Sequence, residues 1–202
     1  MEERVRHAEQ MIALDLLSVH YVNIDYHREH RAPAAAGQRL IVDDQEWDDP
    51  TWQAASADSL DFGLELGLSG DRVFSVTWDP PGEYEGLTIR EGPLAAALAP
   101  DGDFAIWDVG ARSRWRLLLG RSVTAVTLNY EPWNADRPDD DLRWCPSVTV
   151  SLGGETVFLL LGDAWPGPDL SPSADNVAVV FDREELPSWR PGPTSPAQLP
   201  RL

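Results

Sequence analysis

The stretch Leu68–Asp79, LSGDRVFSVTWD, constrains the fold most, because a close variant, LGGETVFLLLGD, stands 84 residues further on at Leu152–Asp163. Five of the twelve aligned positions are identical: Leu68/Leu152, Gly70/Gly154, Val73/Val157, Phe74/Phe158 and Asp79/Asp163. Each copy reads as a strand, a Gly-containing turn and a second strand, which predicts a β-hairpin. Upstream of each lies a second match, Ser18–Tyr26 (SVHYVNIDY) with Ser122–Tyr130 (SVTAVTLNY). Both of these alternate as half-buried strands do, with His20, Val22, Ile24 and Tyr26 sharing one face. Helical spacing precedes each, over Val5–Leu17 and Ser113–Leu119.

These patterns predict a mainly β chain, with α+β as the variant. The expected architecture is two packed sheets or one curved antiparallel sheet, made of two pseudo-repeated units at about 5–91 and 113–182, each led by a short helix. Residues 1–186 are expected to form one globular domain, and the Pro-rich 187–202 a flexible tail.

Charge narrows the function classes. The formal net charge is −18, and every one of the 16 Lys+Arg positions is Arg. Phosphate contacts need clustered positive charge, so nucleic acid and anionic lipid are poor partners, and a basic protein is the favoured one. Cys145 is the only cysteine, which excludes an internal disulfide and a cysteine-based zinc site. The N-terminal stretch MEERVRHAEQ lacks the apolar run of a signal peptide, and no stretch is long and apolar enough for a membrane span. A cytoplasmic location is expected, with no cofactor.

The longer of the two connections, His27–Leu60, carries the candidate site. Asp43, Asp44, Glu46, Asp48 and Asp49 crowd around Trp47, with Trp52 close behind. Such carboxylates repel one another unless something positive relieves them, and an indole offers buried area and a cation–π face. These residues are therefore read as a contact surface for Arg or Lys of a basic protein, and the chain as a non-enzymatic binder of the neutralising or immunity type. The competing expectation for the same stretch is a solvated loop whose Trp side chains fold back onto the core.

Two other readings remain open. Asp25, His27 and His30 would suit a metal-dependent hydrolase if the segment turned like a helix. A pocket lined by Trp side chains would suit a small ligand. Arg112, Arg114, Arg116 and Arg121 are expected to salt-bridge to nearby acids, and Asp79 and Asp163 to cap turns. Cys145 is expected to behave as a small buried hydrophobe.

Overall fold

The computed structural model describes residues 2–26, 38–41, 44–54, 57–79, 86–98, 102–132, 143–164, 170–182 and 184. Helix α1 (Glu2–Met11) is followed by β1 (Leu16–Ile24), β2 (Arg39–Ile41) and the single turn α2 (Asp44–Trp47). Strands β3 (Asp58–Leu60), β4 (Gly63–Leu68), β5 (Arg72–Asp79), β6 (Gly86–Glu91) and β7 (Phe104–Asp108) come next. After them run β8 (Val123–Pro132), β9 (Arg143–Leu152), β10 (Glu155–Asp163) and β11 (Ser171–Val180). Two 3-10 turns, Leu94–Ala97 and Arg114–Leu117, precede β7 and β8.

The strands form one curled, mixed sheet in the order β2-β7-β1-β4-β5-β6-β9-β10-β11-β3, with β8 on the free side of β9. The fold is thus mainly β, as the periodicity predicts, but not purely antiparallel: β2 runs parallel to β7, and β6 parallel to β9. The curl follows from chain connectivity. Strand β3 is the last in the path, yet only Asp61 and Phe62 separate it from β4 near the middle. The sheet must therefore turn back on itself, and Tyr21 of β1 donates its hydroxyl to Asp58 of β3 at 2.7 Å.

Among the described residues, β6 pairs with β9 at one bridge, Gly86 to Cys145, and an isolated bridge from Asp15 to Ser122 joins the segments that lead into β1 and β8. Gly86 has φ +106°, and a Cβ there would lie 2.4 Å from the Cys145 carbonyl oxygen, so this approach requires glycine. Beyond the bridge the two strands part, and α1 packs along both β6 and β8. Its Ala8 and Met11 enter the main core with the leucines of β4 and the valines of β9, β10 and β11.

Both hairpins form, but the matched residues do not take matched positions. Leu68 pairs with Arg72 around a three-residue loop, whereas Leu152 pairs with Glu155 around Gly153-Gly154 alone. Both of these glycines have positive φ, as a tight two-residue hairpin turn demands. One residue fewer in the loop flips the returning strand. Phe74 accordingly points into the main core, while Phe158 packs on the opposite face with Ala57, Leu160 and Val180.

Strand β1 also carries an irregularity. A register shift between Leu16 and Ser18 turns Leu16, Val19 and Tyr21 toward the main core. The face that His20, Val22 and Ile24 share is the outer one; Val22 is buried there under Leu94 and Phe104. Helix α1 also stops earlier than its spacing suggests. Ala13 adopts φ +68° and its N–H donates to Val123 at 2.8 Å, which ends the helix and hands the chain to β1. In place of a second helix, Ser113 caps the 3-10 turn by accepting from the Trp115 N–H.

Candidate functional site

The acidic, Trp-containing segment is organised by an arginine that stands outside it. Arg39 sits on β2 opposite Ala105 of β7, which in turn pairs with Asn23 of β1. From there its guanidinium grips Asp25 through two bonds of 2.8 and 2.7 Å and Glu46 through a third of 2.7 Å. Both carboxylates are buried, with side chains 5% exposed, so the fork meets its partners away from bulk water. These contacts hold Arg39 more firmly in its charged form than a free guanidinium: Asp25 contributes most, burial opposes, and Glu46 adds to Asp25. The clamp ties the end of β1, strand β2 and turn α2 into one unit.

Behind the clamp is an aromatic cluster. Trp47 meets Trp107 edge to face at 5.2 Å and Trp52 at 6.0 Å, and Trp52 meets Tyr21 at 5.1 Å. Edge-to-face rings at these spacings add to simple area burial. The Tyr21 hydroxyl accepts from the Trp115 indole at 2.7 Å and donates to Asp58 at 2.7 Å. Burial, with Asp58 beside it, raises the Tyr21 pKa well above the usual phenol value, so this hydroxyl stays a donor.

These contacts locate the expected partner-binding residues. Glu46 is 5% and Trp52 4% exposed, so both side chains are spent inside the chain. Trp47 is half-buried, and the cation–π seat expected for a partner's arginine is taken by the chain's own Arg112, 5.0 Å from the ring centroid. Asp48 and Asp49 alone are shown exposed. Asp44 lies in α2 with only its backbone described, and Asp43 lies outside the described residues. The Trp side chains therefore fold onto the core while the two consecutive aspartates face solvent.

The alternative metal triad is only partly described. Asp25 is engaged by Arg39, and His27 and His30 lie outside the described residues. Among the described residues, no group of three or more His, Cys, Asp or Glu is placed to hold a metal ion. Asp79 and Asp163 serve different ends: Asp79 receives Arg4 and Arg90, while Asp163 accepts from the Ser59 hydroxyl at 2.6 Å. Arg114 lies over Phe181 and Arg121 faces Glu155 at 3.8 Å, so ring contacts accompany the salt bridging expected of that stretch. Burial pushes the Cys145 thiol up to about 12, which keeps it protonated.

A second charged arrangement lies on the outer face, where no sequence motif pointed. His20 pairs across β1, β4 and β7 with Glu65 on one side and Asp108 on the other. Its Nδ1 is 3.6 Å from Glu65, whose other oxygen accepts from the Ala95 N–H at 3.0 Å. Glu65 thereby fastens the 3-10 turn Leu94–Ala97 to the sheet. No family model, curated protein or solved structure matches the chain.

Proposed function

We propose that this chain is a non-catalytic binding protein for a basic protein partner, acting in the cytoplasm as a neutralising or immunity-type protein. The observation that carries the reading is the pinned turn. Asp48 and Asp49 are exposed beside residues held by the Arg39 clamp and the Trp cluster. Carboxylates on an already ordered backbone lose little entropy on contact, and a net charge of −18 steers a basic surface toward them. The strand order supports a duplicated scaffold as well: β1-β4-β5-β6 is matched by β8-β9-β10-β11. The clamp and the acidic turn both belong to the connection between β1 and the first hairpin.

The test is association kinetics with a basic polypeptide captured by the immobilised chain from cell extract. Asp48→Asn with Asp49→Asn should slow association about tenfold at low salt, with little change at high salt. The control neutralises two exposed acids on the hairpin turns, Asp71→Asn with Glu155→Gln. Equal slowing in both variants would mean that bulk charge, and not this turn, makes the contact.

A further inference from the structure

The outer face of β2, β7 and β1 carries a patch of apolar side chains set side by side by strand pairing. Leu40 of β2 stands opposite Ile106 of β7, and Ile106 opposite Val22 of β1. Two residues further along β1, Ile24 stands opposite Phe104. Leu94, from the 3-10 turn Leu94–Ala97, packs with Val22 and Phe104. The flanks stay open: Leu40 is 53% and Ile24 40% exposed, and Tyr26, just past the end of β1, is 53% exposed. Single exposed apolar side chains are ordinary on a protein surface, but neighbours aligned across three strands form a patch.

The rim of this patch is acidic. Asp61 accepts from the Ile24 N–H at 2.9 Å and from the Tyr26 hydroxyl at 3.0 Å, which places a carboxylate against both residues. Burial raises the Asp61 pKa; these two bonds lower it, and the nearby charges of Asp163 and Asp175 raise it again. A cation brought to this end of the patch relieves that repulsion. On the other flank Asp108 is exposed and shares the outer face with Ile106, two residues before it on β7. His20, the basic neighbour, stands between Asp108 and Glu65.

An apolar centre with a charged rim is the layout of a protein contact surface, and the sign of the rim selects the partner. Strand β2 connects this face to the acidic turn. Arg39 points inward, where it holds Glu46, and the next residue, Leu40, stands on the opposite face. We propose that the outer face of β2, β7 and β1 is the docking surface for the basic protein partner. An aliphatic or aromatic side chain of that partner packs on Leu40 and Ile24, and a flanking Arg or Lys reaches Asp61 or Asp108. The inference rests on the basic partner proposed above and divides the work: Asp48 and Asp49 steer the approach, and the apolar face retains what arrives.

Stopped-flow fluorescence anisotropy of the full chain with three labelled ten-residue peptides tests this: alternating Arg and Leu, Arg and Ser, and Glu and Leu. The Arg–Leu peptide should bind saturably and about tenfold more tightly than either of the others. Ile24→Thr with Leu40→Thr keeps strand-compatible residues at both exposed positions, and should erase the preference for Arg–Leu over Arg–Ser through faster dissociation. Asp48→Asn with Asp49→Asn should instead slow association of both Arg peptides by the same factor and leave the preference intact. Equal binding of the Arg–Leu and Arg–Ser peptides by the unaltered chain would overturn the docking face and leave the acidic-turn reading in place. A preference that survives in the folded Ile24→Thr, Leu40→Thr chain would do the same. Glu–Leu binding as tightly as Arg–Leu, or no binding of either Arg peptide at millimolar concentration, would overturn both.

Discussion

Arg39 is the side chain on which the candidate site depends. Removing one partner of a buried ion pair leaves the others charged and unsolvated, a larger effect than removing a surface pair. Arg39→Met should therefore cost about 3 kcal/mol, toward the lower end for such pairs because the guanidinium is partly exposed. Urea unfolding checks it, and a loss below about 1 kcal/mol would show that Asp25 and Glu46 find other relief. His20 and Glu65 make a pH prediction. The hydrogen bond with Glu65 raises the His20 pKa above 6.5; burial opposes, and the Asp108 charge adds. The stabilisation from His20 is therefore complete below about 6.5 and lost as pH rises through the higher folded value. Burial pushes Glu65 up, but His20 and the Ala95 N–H outweigh it and hold it below 4.5. Its contribution is present above about 4.5 and lost as pH falls through the lower folded value. Stability measured against pH should hold a plateau between these limits and decline toward alkaline pH, and His20→Gln should flatten that decline. An unchanged slope in the variant would assign the decline to other groups.

Among strands and turns, much was legible because period and turn chemistry are local properties. The strands β1 and β8 and both hairpins, β4–β5 and β9–β10, follow from alternation and Gly placement. What escaped was parity. A loop shorter by one residue at Gly153-Gly154 exchanges the faces of the returning strand, yet it does not disturb the alternation itself. The Gly-Gly pair was the available signal, since two successive left-handed positions specify a two-residue turn where Ser-Gly-Asp does not. Arg39 was missed for another reason: its partners, Asp25 and Glu46, meet it only once β2 is laid against β7. The β6–β9 seam was equally invisible, because one long-range bridge leaves no periodic trace. Its importance can be measured. Gly86→Ala meets both a forbidden φ and the Cys145 backbone, and should cost on the order of 3 kcal/mol. Gly70→Ala, at φ +80° in open space, should cost only about 1 kcal/mol. Equal losses would mean that the seam can open without disturbing the rest of the sheet.

For the molecule as a whole, charge acts on folding and on association with opposite consequences. The chain carries 34 acidic against 16 basic residues, so the folded state concentrates unlike numbers of charges and repels itself. The pairs that hold the structure are mostly sheltered. The Arg39 clamp and the Arg4–Asp79 contact have side chains at most 22% exposed, and salt reaches such contacts poorly. Long-range repulsion between exposed acids is screened readily, since the Debye length falls to about 10 Å at 0.1 M salt. Raising sodium chloride from about 0.01 to 0.2 M should therefore increase the urea midpoint, although steered association with a basic partner slows over the same range. Asp48→Asn with Asp49→Asn should raise the low-salt midpoint slightly while slowing association, because exposed acids kept for contact oppose the compact state. A midpoint that falls with salt would show that exposed ion pairs outweigh the repulsion. The surplus of acids would then be part of what holds the fold, and it would no longer argue for a basic partner.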